Sequence, residues 1–467
     1  MHLIATRMKL RRWRPDALVV LTLVLSAMVL MPIAVLGLSW LGDESAVWRH
    51  LADTVLKDLI LNTLLLLVGV GAGVLLLGVS LAWMVSSLDF PGRRFFDWAL
   101  LLPLAVPAYV LAFVALDLLD FSGPVQGSLR QWLPFFSGGS ARQPWLVIVS
   151  LSLVFYPYVY MLARAAFMVQ GRTLMEQARI LGLGPYAAFW RVALPMARPA
   201  IAAGLALALM ETLADFGAVA VFNYDTFTTA IYKSWYHLRT LNAAAQLASL
   251  LLLFVLVTLV LERMGRGRAR FAQQGGQRMH RVRPRPLQRW LLTGYATLVF
   301  MAAFAVPVGR LVFWVVDSAW MDLDSRYWGL VTRTFLLGAI AAVATVVLSL
   351  LLGYVRRTRR QRLVHAAVRG ATVGYAMPGS VLAVGIMLSF AAIDQWLGAT
   401  FNLRPVLLGG LLALLMAYVV RFLAVLELFK QGLVDIEQAQ AFGDIHISWI
   451  GATQFDGDLE LVDAYDG

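Results

Sequence analysis

The sequence contains no cysteine in its 467 residues, so neither a disulfide framework nor a thiolate metal site can form. Charged residues are also scarce, at 14% of the chain, whereas 60% of the residues are hydrophobic and the mean hydropathy is +0.74. These values exclude an ordinary soluble protein, because apolar runs of about 20 residues are typical of membrane-spanning helices. The runs lack period-2 alternation, so helices rather than a barrel are predicted.

Lysine and histidine are rare as well. Only Lys9, Lys57, Lys233 and Lys430 occur, and none ends a Gly-x4-Gly-Lys-Ser/Thr phosphate-binding loop. The 6 histidines have no pair spacing, so no fixed metal site is predicted. The net charge of +12 comes from arginines clustered between apolar runs, which favours a membrane protein over a nucleic-acid-binding protein. We therefore expect no cofactor and no nucleic acid on this chain.

The apolar runs predict an all-α polytopic membrane protein. About ten transmembrane helices are expected, at 17–41, 59–86, 97–120, 143–168, 199–221, 243–262, 290–316, 330–355, 367–392 and 405–429. The first run is longer than the core of a secretory signal and lacks a small-residue cleavage site, so a retained anchor is expected. Arginine-rich connections alternate with basic-poor ones, and the positive-inside rule predicts that both termini are cytoplasmic.

The sequence repeats itself in register. Asn62-Thr63 matches Arg333-Thr334, and the segment that begins at Pro107 matches the one that begins at Pro378, both at an offset of 271 residues. Tyr158-Val159 matches Val419-Val420 at an offset of 261, as a shorter loop in the second copy would require. The predicted division is a basic segment with an anchor helix, a first repeat, an arginine-rich linker, a second and incomplete repeat, and a divergent acidic tail, at 1–55, 56–262, 263–289, 290–443 and 444–467.

The tail does not continue the repeat. Position 456, where the second copy of Pro195 is due, is Asp, and residues 444–467 contain no lysine or arginine. The fifth and sixth spans of the second copy are also missing. A frameshift or truncation after Gly443 is therefore expected.

A polar island lies between the fourth and fifth predicted spans. It contains Glu176-Gln177-Ala178, Gly182 and Leu194-Pro195, and its opening recurs as Glu437-Gln438-Ala439 and Gly443. Thr173 with Glu176 forms a capping-box pattern, and Gly182 permits a left-handed helix end. A second short helix is predicted from about residue 186 to 192, ending at Leu194-Pro195. Two short angled helices would form a rigid knob; the alternative is an ordinary connector.

This pattern resembles the EAA loop of permeases in bacterial ABC importers. The resemblance implies two tandem type I permease repeats in the bacterial inner membrane, with residues 172–198 as the first coupling loop. It also implies a periplasmic substrate-binding protein and two copies of a separate ATPase subunit, which bind and hydrolyse ATP with Mg²⁺. The implied coupling residues are Glu176, Ala178, Gly182, Leu194, Pro195, Glu437, Ala439 and Gly443. The missing second Leu-Pro places complete coupling by the second copy in doubt.

Two further segments resemble fused two-repeat permeases of ferric iron import systems. They run from Leu102 to Ala112 and from Met210 through Phe222 to Trp235. The resemblance implies transport of Fe(III) by a non-enzymatic subunit. Thiamine, or another small cationic solute, is the alternative substrate. A secondary transporter and a non-transporting truncated permease are the alternative classes.

Several residues inside the spans are candidates for a translocation pathway. Glu211 and Asp215 are four residues apart, which predicts one helical face; a cation pathway and a structural hydrogen bond are the two interpretations. Pro107 and Pro378, like Pro103, are expected to interrupt helices and to free carbonyl groups towards a cavity. Tyr156, Tyr158 and Tyr160 are interpreted as packing rather than as a substrate cage.

Overall fold

The computed structural model describes residues 17–41, 49, 51, 53–120, 123, 143–169, 180, 182–236, 240–266, 281–317, 325–358, 361–371, 377–402, 407–408, 410, 412–420, 434–438 and 445–449. Within these ranges the regular structure is helical apart from one two-stranded ribbon. Eight helices are long and apolar enough to cross a membrane, or nine if one bent pair counts as a span. The prediction of an all-α polytopic membrane protein is confirmed.

The helices follow the sequence in this order: α1 Ala17–Leu38, α2 Leu56–Ser87, α3 Arg93–Ala99, α4 Ala108–Leu119, α5 Pro144–Val169, α6 Pro185–Ala188, α7 Leu194–Ala214, α8 Gly217–Val221, α9 Phe227–Tyr236, α10 Leu241–Arg266, α11 Pro286–Phe300, α12 Val306–Asp317, α13 Ser325–Thr358, α14 Arg362–Ala371 and α15 Gly379–Phe401. Short 3₁₀ segments cover Ser39–Leu41 and Leu102–Ala105. Strands β1 (Val434–Gln438) and β2 (Ile445–Trp449) pair antiparallel.

The chain divides into two compact units. One comprises Val35–Arg333 with Ala376–Gly385, and the other comprises Met1–Ala34, Thr334–Tyr375 and Ile386–Gly467. The main apolar core belongs to the first unit, where α5 packs against α2 and α7.

Glycines allow the close approach of helices in that core. A Cβ atom added at Gly78 of α2 would lie 2.6 Å from Cβ of Val159, and one at Gly204 of α7 would lie 2.8 Å from Cα of Val159. Both distances are shorter than a van der Waals contact, so only glycine fits. In a membrane the lipid tails are as apolar as the side chains, so close packing rather than the hydrophobic effect holds the helices together. Small residues at helix crossings permit this close packing.

The third predicted span, 97–120, is broken rather than continuous. Arg93–Ala105 and Ala108–Leu119 meet at 94°. Pro107 is the residue before α4, and Pro103 lies in the 3₁₀ segment. A proline lacks the N–H that would continue the helical ladder, and it disfavours helical backbone in the residue before it. The predicted interruption at these prolines is confirmed.

The fifth predicted span, 199–221, is wrong at both ends. The observed span begins at Phe189 and ends at Ala214. Residues Phe189–Ala193 are π-helical, and the Leu194 amide donates to the Phe189 carbonyl, five residues back. The ring of Pro195 would clash with the Arg191 carbonyl in a regular α-helix, and the wider π turn relieves that clash. A second π segment, Met301–Ala305, likewise lies two residues before a proline, Pro307.

The ninth predicted span, 367–392, is displaced. Its first part belongs to the separate helix α14, and the observed span is α15, Gly379–Phe401. Pro378 directly precedes α15, as Pro107 precedes α4, and these two helices begin 271 residues apart. Of the tenth predicted span, 405–429, residues 412–420 are helical, and most of the remainder lies outside the described residues.

Candidate functional site

The coupling segment, as we call the predicted coupling loop of residues 172–198, turns at Gly182. This glycine has a left-handed φ of +77°, and Ile180 just before it is helical. Pro185 then begins α6, where its fixed φ suits a first helical position. The predicted left-handed helix end at Gly182 is confirmed. Glu176 and Ala178 lie outside the described residues.

An aromatic cluster joins this segment to two spans. The ring of Phe189, in the first π turn, lies 4.8 Å from Trp83 of α2 and 6.3 Å from Phe167 of α5, between centroids. Trp83 and Phe167 contact each other edge to face at 5.3 Å. Each such aromatic pair contributes about 0.5–1.5 kcal/mol beyond the area it buries. A displacement of the segment would therefore be transmitted to the ends of α2 and α5.

The outer surface of the segment is apolar and basic. Ile180 is 84% exposed and Trp190 is 53% exposed, and Arg191, the residue after Trp190, is exposed as well. Two large exposed apolar side chains on a polar connection are typical of a surface that another protein covers.

Leu194 and Pro195 occupy a different position from the one predicted. They do not end a short helix, because α6, the π turn and α7 run on without a break. Pro195 lies in the first turn of α7, where the missing N–H costs little. The segment is therefore rigidly continuous with the fifth span instead of being hinged at Leu194.

The second EAA-like segment has another conformation. Glu437 lies in β1, paired with His446 of β2, whereas the first segment is helical around Gly182. The pairing partner belongs to the divergent tail, which has no counterpart in the first copy. Ala439 and Gly443 lie outside the described residues.

The two intramembrane acids do not share one helical face. Glu211 lies in the last turn of α7 and is half-buried, but Asp215 follows the end of α7 with an extended ψ of 127°. The Val219 amide donates to the Asp215 carboxylate at 3.1 Å, and the Thr228 hydroxyl donates to its carbonyl oxygen at 2.8 Å. Asp215 thus organises the turn into α8, in line with the structural interpretation, while Glu211 remains the pathway candidate.

Pro107 lies close to this turn. Gly217 at the start of α8 approaches Tyr109 of α4 so closely that an added Cβ atom would lie 2.6 Å from the Tyr109 Cβ. The break before α4 and the break after α7 are therefore neighbours. Tyr109 is 53% exposed there. Pro378 directly precedes α15 and is not among these contacts.

A polar loop closes the same end of the bundle, and sequence reasoning missed it. The Asn62 side-chain amide donates to the Asp225 carbonyl at 3.0 Å, and the Tyr224 hydroxyl donates to the Asn62 carbonyl at 3.1 Å. Lys233 pairs with the Asp225 carboxylate at 2.5 Å. The signal was present in the sequence as Asn62 within an apolar run.

Two ion pairs inside the first unit were also missed. Arg164 of α5 pairs with Asp97 of α3 at 2.6 Å, and Arg310 of α12 pairs with Asp117 of α4 at 2.7 Å. Buried hydroxyls of Tyr156 and Tyr160 donate to the carbonyls of Leu100 and Asp97. These contacts agree with the packing interpretation of the two tyrosines, since both rings are fully buried.

A family model described as the inner membrane component of binding-protein-dependent transport systems matches residues 74–268. These residues are similar to the permease components of such transport systems. The matched part of the chain includes the aromatic cluster, the coupling segment and the two helix breaks. A second model, of the segregation and condensation protein ScpA, matches residues 384–450, which include most of α15 and both strands.

Curated relatives of this chain differ in the substrate that their names give. The chain is 27% identical over 339 residues to the Fe(3+)-transport system permease of Haemophilus influenzae, covering 71% of this chain and 63% of that protein. It is 26% identical to the molybdate/tungstate permease of Thermococcus kodakarensis, covering 50% of this chain and 90% of that protein. It is 31% identical to the sulfate permease of Escherichia coli, covering 30% of this chain and 50% of that protein. The chain therefore spans less than two thirds of the length of the iron permease.

Proposed function

We propose that this multi-pass inner membrane permease moves ferric iron from a periplasmic binding protein into the cytoplasm. A separate ATPase subunit, present in two copies, supplies the energy and binds ATP and Mg²⁺. In this proposal both chain termini and the coupling segment face the cytoplasm.

The ATPase coupling is supported by the contact of Phe189 with Trp83 and Phe167. This contact carries the proposal, because it gives a surface-exposed segment a stiff connection to two spans. Ile180 and Trp190 supply the exposed apolar surface that a partner would cover.

The choice of a cation is supported by Glu211. A half-buried acidic side chain in the last turn of α7 attracts a cation and repels molybdate or sulfate, and the cost of placing a charge within a membrane span favours a functional role. The similarity to the iron permease also extends over more of this chain than the similarity to the oxyanion permeases. Thiamine is the second candidate, since it is also cationic.

Uptake measurements test the substrate. Cells with and without this gene are given labelled iron, thiamine, molybdate or sulfate, and we expect gene-dependent uptake of iron alone. Uptake of thiamine would select the second candidate, and uptake of either oxyanion would contradict the role given to Glu211. Iron uptake that persists without ATP hydrolysis would indicate a secondary transporter, and no uptake of any solute would indicate a non-transporting permease.

The substitution Glu211→Gln tests the pathway directly. It keeps the size of the side chain and removes its charge, so we expect iron uptake to fall about tenfold or more while the amount of folded protein stays the same. Asp58→Asn is the matched control, because Asp58 is an exposed acid in the first turn of α2. Equal iron uptake by the two variants would show that Glu211 is not part of the translocation pathway.

A further inference from the structure

A groove of about 650 Å³ runs along α11 and the π segment that follows it. Its walls are apolar and include Trp290, Leu298 and Met301, which are 66%, 68% and 44% exposed. Gly294 forms the floor, and a Cβ atom there would meet nothing within 4 Å. The groove is thus open and lies within a membrane-spanning segment.

Arginines cluster at the end of the groove where the span begins. Arg281, Arg283 and Arg285 are exposed on the chain that leads into α11. This chain is held in place by backbone hydrogen bonds, from the Val282 amide to the Ser87 carbonyl at 2.9 Å and from the Asp89 amide to the Val282 carbonyl at 3.0 Å. The basic cluster is therefore fixed relative to the bundle.

A further arginine, Arg289 of α11, lacks a protein partner at its inner nitrogen among the residues that the structure describes. Nε of Arg289 is buried and has no hydrogen-bond acceptor among the residues that the structure describes. The first turn of α11 also has no acidic residue to balance the positive end of the helix. A buried donor without an acceptor costs about 1–3 kcal/mol, so a ligand that supplies the acceptor would be favoured.

The surrounding charges leave an excess of positive potential. The acids that act on Arg281 are Asp97 and Asp89, and Asp97 is already paired with Arg164. Burial, together with the nearby charge of Arg93, lowers the pKa of Arg281 from its ordinary value, as crowded positive charges do. Arginine stays protonated nonetheless, so the cluster remains cationic.

We propose that this groove binds an anionic phospholipid, with its phosphate at Arg285 and Arg289 and an acyl chain along Trp290, Gly294 and Met301. The length of the groove suits an acyl chain. The helix rises about 18 Å over the 12-residue step from Arg289 to Met301, and one leaflet of the hydrocarbon core is about 15 Å thick. A zwitterionic lipid would bring its own cation against the arginines. A soluble phosphate would make no use of the apolar groove.

The test uses the purified full chain, exposed to equal amounts of phosphatidylglycerol and phosphatidylcholine and analysed by native mass spectrometry. We expect retention of phosphatidylglycerol and about thirtyfold weaker retention in the double variant Arg285→Gln, Arg289→Gln. Arg326→Gln is the control for charge, since Arg326 is exposed at the start of α13. Equal retention of the two lipids, or of phosphatidylglycerol by the double variant and the control, would overturn the proposal.

A pair of glycines tests the apolar part. Gly294→Leu fills the groove, whereas Gly309→Leu adds the same side chain on α12, where a Cβ atom would also meet nothing within 4 Å. We expect only Gly294→Leu to reduce retention of phosphatidylglycerol. Unchanged retention in Gly294→Leu, or complete displacement of the lipid by inorganic phosphate, would show a surface anion site and overturn the lipid site.

Discussion

Helix α2 of the first copy and helix α13 of the second end 271 residues apart, yet their surfaces differ. In α2, Gly69, Gly73 and Gly78 face α5 so closely that any added Cβ atom would clash. The positions 271 residues further on hold Ile340, Ala344 and Ser349. The two helices thus end at matching positions of the predicted repeat, but the residues at the compared positions differ in how closely another helix can approach.

The polar contacts differ between the copies in the same way. In the first copy, Asp97 joins α3 to Arg164 of α5, and the Tyr156 hydroxyl donates to a backbone carbonyl. At the predicted offsets the second copy has Val368 and Ala417 instead. Valine and alanine have no polar side-chain group, so the ion pair of Asp97 and the side-chain hydrogen bond of Tyr156 cannot recur at these positions. Helix position and helix attachment are therefore separate properties.

The largest expected effect comes from glycine packing. Gly78→Val places a branched side chain against Cβ of Val159 and the backbone carbonyl of Tyr156, so we expect a loss of about 3 kcal/mol or failure to accumulate. Gly338→Val in α13 is the control, because a Cβ atom there meets nothing within 4 Å. Thermal unfolding in detergent measures both. Equal losses would show that the two helices are packed alike.

An intermediate effect is expected at the ion pair of the first copy. Asp97→Ala removes the partner of Arg164, and we expect a loss of about 1–2 kcal/mol, since both side chains are 28% exposed. A double-mutant cycle with Arg164→Ala should give a coupling of about 1 kcal/mol. The pair of Lys233 with Asp225 should show a smaller coupling energy, because these side chains are 50% and 41% exposed, respectively. A larger coupling in the exposed pair would contradict this ranking.

The smallest stability effect is expected in the coupling segment, together with a clear functional one. Gly182→Ala puts a Cβ atom on a left-handed residue, at a cost of about 1 kcal/mol, although no atom obstructs it. Gly184→Ala has the same open surroundings and no left-handed φ, so it is the matched control. We expect iron uptake and ATPase stimulation to fall in the first variant alone. Unchanged transport in Gly182→Ala would show that transport does not depend on a left-handed glycine in this turn.

Local sequence predicted much of the helical framework. Apolar runs located the long helices, and Pro103 and Pro107 indicated the break in the third span. Gly182 indicated the left-handed helix end. These features depend on neighbouring residues, because a proline removes an N–H in its own turn and a glycine relieves steric strain at its own position.

Other features could not be read from local patterns. The prediction that Glu211 and Asp215 share a helical face failed, because the Asp215 carboxylate accepts the Val219 amide and begins another turn. The prediction that a short helix ends at Leu194 and Pro195 failed, because the π turn absorbs the proline. In both cases the local sequence favours one regular α-helix, but hydrogen bonds that depart from the regular helical pattern form instead.

The sequence by itself determined that this chain is a helical membrane protein with several long apolar helices, since hydrophobicity and proline act over a few residues. Only the tertiary structure decided that Phe189 rests on Trp83 and Phe167, and that Arg310 meets Asp117, 193 residues away. Such contacts depend on how whole helices pack together. No local period in the amino-acid sequence specifies that arrangement.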